Sequence, residues 1–159
     1  MPVIELATSI AAPVDRVFDL ARSIDLHTDS AAGTGERAVA GVTAGLIGLG
    51  QEVTWRARHC GIWQSLTVRV TAFERPTYFA DTMLRGVFRR MEHHHYFEQS
   101  ASGTTMRDVF SFQSPLGILG RITDFLFLTR YLRSFLVERH RAIKAAAESD
   151  DWNQYLRNP

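Results

Sequence analysis

The run Met91-Glu-His-His-His-Tyr-Phe97 places three consecutive histidines inside a stretch bounded by apolar side chains. Strand alternation sets Met91, His93, His95 and Phe97 on one face and Glu92, His94 and Tyr96 on the other. The apolar ends mark the first face as the buried one. His93 and His95 then point inward about 6.6 Å apart along the strand, a spacing that suits two imidazoles around one ligand or metal. Hydrogen bonding to neighbouring core groups is the plainer use of the same pair. A second alternation, Met106, Asp108, Phe110 and Phe112, sets a carboxylate among apolar side chains. An unpaired buried carboxylate is costly or shifts its pKa. Asp108 is therefore expected to pair with His93 or His95 and to fix the tautomer of its partner. The same pair has the parts of a general base and its orienting group.

Other candidates lie on neighbouring runs. In Val53-Thr-Trp-Arg-Ala-Arg-His59 the more apolar face carries Val53, Trp55, Ala57 and His59, with Arg56 and Arg58 opposite. In the next run Ile62, Gln64, Leu66, Val68 and Val70 share a face, Gln64 being its polar point and Trp63 pointing outward. Packing residues and ligand wall are largely the same residues in a hollow fold. Trp55, His59, Gln64, Leu66, Val68, Phe110, Phe112, Phe125 and Leu132 are thus the expected wall, and His93, His95 and Asp108 its polar cluster. His27 is a candidate ligand contact or a solvated histidine. Gly45, Gly48 and Gly50 lack the lysine of a phosphate loop and read as a flexible hairpin at the cavity mouth.

These faces need elements to hold them. Val3 to Ile10 alternates as a strand that Pro13 stops, and Pro13 suits the first position of a helix. Val14, Val17, Phe18 and Ala21 recur at helical spacing, so a short helix is predicted from Pro13 to about Ser23, with a second piece from Ile24 to Ser30. From Glu36 to Gln113 about six β-type runs follow, divided by glycine and proline breaks too short for crossover helices. Hairpins must join them into an antiparallel meander. After Ser114-Pro115 the apolar positions Ile118, Ile122, Phe125, Leu132, Leu136 and Ile143 take a helical period. A helix from about Gly117 to Ala147 would be on the order of 45 Å long, enough to cross a small sheet. Residues 1–147 thus read as one ligand-binding domain and residues 148–159 as a loosely held tail.

This α+β order resembles the helix-grip fold of the polyketide cyclase and START-like (SRPBCC) superfamily, in which about seven curved antiparallel strands wrap a long C-terminal helix. Ala12-Pro13-Val-Asp-Arg-Val-Phe18 looks like that superfamily's helix after strand one. Asp108-Val-Phe-Ser-Phe-Gln-Ser-Pro-Leu-Gly117 looks like its last strand entering the long helix. The resemblance implies a cavity between sheet and helix. It does not select among lipid and hormone carriers, cyclases, oxygenase domains and chaperone activators, since a fold alone decides no function.

Composition narrows the classes further. With 159 residues, 45% of them hydrophobic, the chain can bury one substantial core. A net charge of +1 lacks the basic surplus of a nucleic-acid binder. The lone Cys60 forms no internal disulfide, the start Met-Pro-Val-Ile-Glu-Leu lacks a secretion pattern, and a cytoplasmic protein is expected. No stretch reaches the roughly 20 apolar residues of a membrane span. The reading is binding of a small apolar or aromatic molecule, for transport or sensing, without cofactor or metal. A cyclase-like or hydrolase-like enzyme using Asp108 with His59, His93 or His95, and a protein-interaction module, are the alternatives.

Overall fold

A computed structural model describes residues 1–59, 61–115 and 127–157. The first strand, β1 (Val3–Ile10), leads through Pro13 into helix α1 (Val14–Ala21) and then helix α2 (Ile24–Ser30), which the Ser23 side chain caps by accepting from the Leu26 amide. A single 3-10 turn, Ala32–Thr34, leads into β2 (Arg37–Gly41). The meander continues as β3 (Glu52–His59), β4 (Ile62–Glu74), β5 (Tyr78–Arg85), β6 (Arg90–Ser100) and β7 (Gly103–Gln113). A long helix, α3 (Thr129–Glu148), and a short one, α4 (Trp152–Leu156), complete the described chain. Cys60, Ile118, Ile122, Phe125 and the expected start of the long helix lie outside the described residues.

All strands pair antiparallel in the order β1-β7-β6-β5-β4-β3-β2. The sheet is therefore a meander closed on one side by the first strand, whose Ile4 stands opposite Phe110. Bulges interrupt the ladder between Ala38 and Ala40, Thr67 and Val68, and Val70 and Ala72. Each extra residue bends its strand and increases the local twist, so the sheet curves around α3. Gly103 opens β7 where its backbone abuts the end of β1, and a Cβ there would stand 2.2 Å from the Ile10 carbonyl oxygen.

Burial divides the concave side into two ends. At one end Ile10, Val17, Phe18, Phe79, Phe97 and Met106 pack against Ile143 and Ala147 of α3 into solid core. At the other, Ile24, Ile47, Val53, Trp55, Val68 and Leu136 belong to a second cluster. The glycine-rich segment between β2 and β3 is tied down rather than flexible, contrary to the sequence expectation. The Ile47 amide donates to the Arg22 carbonyl at 3.2 Å, the Ile24 amide to the Gly45 carbonyl at 2.9 Å, and the Gly50 amide to the Val70 carbonyl at 2.9 Å. The end of the chain also differs from a loose tail. Helix α4 packs on α1, with the Arg16 guanidinium 4.4 Å from the Trp152 ring centre and the Tyr155 hydroxyl donating to Asp29 at 2.8 Å.

Phe18 is fully buried and meets Phe73, Phe79 and Phe97 edge-on at 5.3, 5.5 and 5.2 Å. Phe18→Ala should lower unfolding stability by about 3–5 kcal/mol, measured by urea denaturation. A loss below about 1 kcal/mol would show that the solid end is not packed around this ring.

Candidate functional site

The hollow end holds a cavity of about 340 Å³ between the sheet and α3. Trp55 and Val68 enter it from adjacent strands, and Leu66 stands opposite Trp55 in the ladder. Phe110 from β7 and Leu132 from α3 complete the apolar walls named from sequence. At the β3–β4 hairpin end His59 and Gln64 also border it, with His59 Nδ1 2.7 Å from the Tyr131 hydroxyl. Trp63 faces outward, half exposed beneath the Arg56 guanidinium.

His27 borders the cavity and is not a solvated histidine. It is buried, stacks on Trp55 with ring centres 3.9 Å apart, and its Nε2 meets the Glu36 carboxylate. Burial holds the imidazole down to about 4, aided by the Arg139 charge and opposed by Glu36. It is therefore neutral at pH 7, and Nε2–H donates to Glu36, which the same contact keeps ionised.

The inward face of the central strands carries the polar cluster. Register sets Asp81 of β5 opposite His93, and His95 of β6 opposite Asp108. Asp108 Oδ2 lies 2.9 Å from His93 Nε2, and Oδ1 lies 3.1 Å from His95 Nδ1. Across the core from α3, His140 Nε2 stands 3.1 Å from Oδ2. Its Nδ1 pairs with the Thr8 hydroxyl at 2.9 Å. On its far side His95 Nε2 lies 3.3 Å from Asp81 Oδ2.

Burial alone would raise the Asp108 carboxyl, but the surrounding imidazoles hold it well below the usual carboxylate range. Burial disfavours charge on His95 as well, yet Asp108 and Asp81 overcome it and lift the imidazole to about 8. His93 goes the other way, lowered by burial and by the His95 charge. One carboxylate thus holds a charged and a neutral imidazole in fixed orientations.

The expected polar cluster exists, but only His93 of its three members borders the cavity. His95 is covered by the stacked Phe79 ring, 4.2 Å away, and Asp108 lies behind both histidines. Phe112 is fully buried against Phe88 and Phe110 and does not reach the cavity either. Alternation gives the face of a residue correctly, while curvature decides whether that face meets space or another side chain. Polar side chains that escaped sequence reasoning include Glu36, Asp81, Tyr131, Arg139 and His140. Asp81 carried a usable signal, since Phe79, Asp81 and Met83 alternate as Asp108 does with its neighbours. So did His140, four residues beyond Leu136 on the apolar face of α3. Arg139, which borders the cavity, donates to the Ala21 carbonyl at 3.1 Å and forms no ion pair among the described residues.

The unfolded chain protonates His27 near pH 6.5, whereas the folded chain resists down to about 4. Stability should therefore fall as pH drops through this window, by at most about 1.4 kcal/mol per pH unit for one group. His93 adds in the same sense. Denaturant unfolding at pH 6.5, 5.5 and 4.5 should show a shallower fall in His27→Gln than in the unmodified protein, and equal slopes would refute this assignment.

Compared with protein-family models and with curated proteins, the sequence matches none. Solved structures do match. The di-domain ARO/CYC StfQ from the steffimycin biosynthetic pathway superposes with a TM-score of 0.74 at 15% identity over 94% of this chain and 51% of that one. TTHA0849 from Thermus thermophilus gives 0.71 at 18% identity, covering 92% of this chain and 99% of that one. Major latex-like protein 151 from Panax ginseng gives 0.69 at 15% identity, covering 93% and 98%. With its seven-stranded curved sheet, paired small helices and long C-terminal helix, the chain has the helix-grip fold of these structures.

Proposed function

We propose that this protein binds a small apolar or aromatic molecule in the cavity between the sheet and α3, as a carrier or sensor. The observation that carries this is the space itself. Its volume of about 340 Å³ falls at the small end of the range of ligand pockets. Its apolar walls are built from Ile47, Val53, Trp55, Leu66, Val68 and Leu136, with polar groups such as His59, Asp81, His93 and Arg139 at its borders. Trp55 offers a ring face whose other side is already stacked on His27, which favours flat ligands. Among the described residues no helix is long and apolar enough to cross a membrane.

A one- or two-ring aromatic such as 2-naphthol tests the reading. Titration should quench or shift tryptophan emission with saturable, one-to-one affinity. Leu66→Glu places a charge on the wall and should abolish binding, whereas Ile62→Glu, on an exposed position of the same strand, should leave it intact. Binding that survives Leu66→Glu with circular dichroism unchanged would refute the assignment of the wall. Phe112 is unsuitable for this test because charge there would break packed core.

A further inference from the structure

The polar cluster at the cavity floor has the composition and spacing of a metal centre. Among the described residues, Asp81, His93 and His95 each offer one ligand atom, and these three atoms lie within 4.8 Å of one another. Two imidazole nitrogens and a carboxylate oxygen around an open side are a donor set suited to zinc. Ligands at about 2.0–2.1 Å from a tetrahedral ion stand about 3.4 Å apart. His95 Nε2 and Asp81 Oδ2, 3.3 Å apart, already have that separation. Only the third donor needs to draw in.

Orientation points the same way. Asp108 accepts from His93 Nε2 and from His95 Nδ1, so one buried carboxylate fixes both rings. The remaining nitrogens are His93 Nδ1, which makes no hydrogen bond among the described residues, and His95 Nε2, which faces Asp81. A carboxylate behind a ligating histidine is the usual outer partner of a metal-bound imidazole. Here one aspartate serves two. Three antiparallel strands in fixed register hold all four groups, so the arrangement does not rely on a mobile loop.

We propose that Asp81, His93 and His95 form a three-ligand site for a divalent transition-metal cation of the zinc type, oriented from behind by Asp108. Asp81 and His93 border the cavity, so the ion stands at its wall. Because the metal site and the apolar-ligand reading share that wall, they are tested separately. The full-length chain, stripped with a chelator, is titrated with zinc by calorimetry and with cobalt by visible absorption. One saturable equivalent of zinc and a tetrahedral cobalt spectrum are expected. His93→Gln, which keeps a polar group beside Asp108, and Asp81→Asn should each weaken zinc binding more than Asp108→Asn, for which an outer-partner loss of about 10–100-fold is expected. His94→Ala, on the opposite strand face, should bind zinc as the unmodified protein does. No saturable binding by folded protein, or undiminished binding in both His93→Gln and Asp81→Asn, overturns the site. So does loss of binding in His94→Ala, which would locate the ion on the outer surface. Naphthol binding by the zinc-free protein is read in parallel. Its failure would count against the ligand reading alone, and failure of zinc against the metal site alone.

Discussion

The Asp108 carboxylate is the constraint around which the interior is arranged. It is ionised, almost fully buried, and touched by imidazoles from β6 and from α3. Such a group is tolerated only with its lone pairs engaged, because the desolvation of an unpaired charge far exceeds the energy of any one contact. Slipping β7 by one residue against β6 would turn Asp108 to the outer face and leave His93 and His95 without their acceptor. The cluster thus specifies register, and it ties the sheet to the helix across the core through His140.

Its position also explains why the interior is solid on one side and hollow on the other. Below the cluster, Phe18, Phe79, Phe97 and Met106 interlock with small residues of α3, including Ala146 and Ala147, which let helix and sheet approach closely. Above it, α3 presents Leu132 and Leu136 to strands that carry Trp55, Leu66 and Val68, and the curved sheet leaves space between them. The polar layer stands between the two regions. His95 stacks on Phe79 of the solid side while His93 meets Phe110 of the hollow side edge-on at 5.1 Å.

Much of this was legible in the sequence. The element order, the seven strands and the inward faces of β3, β4, β6 and β7 follow from period-two alternation and glycine or proline breaks, signals that are local. That Asp108 pairs with His93 or His95 followed from the same alternation plus the cost of burying a charge; that it engages both rings came from the structure. What could not be read was depth. Phe112 and Val68 both lie on inward faces, yet one is sealed in core and the other borders space, because sheet curvature is a sum over bulges along the strands. Partners contributed by distant elements were equally hidden. His140 sits 32 residues from Asp108 in the chain, and only the packing of α3 brings them together. The short α4 was missed since five residues carry too little periodicity to register, although Trp152 and Tyr155 anchor it.

The strand order carries a consequence for how the chain acquires its structure. Among the described residues β1 pairs only with β7, so Val3 waits for Ser111 before its ladder can close. A contact across that much chain must offset a large loop-closure entropy, and topologies dominated by such contacts fold slowly. On a ribosome, the hairpins from β2 to β7 can assemble in order as they emerge, while β1 and the apolar face of α1 remain without partners. Phe18 and Val17 then stay exposed until α3 has left the exit tunnel, since Ile143 and Ala147 complete their surroundings. The interval between those two events is when the nascent chain is most open to association with other chains or capture by a chaperone.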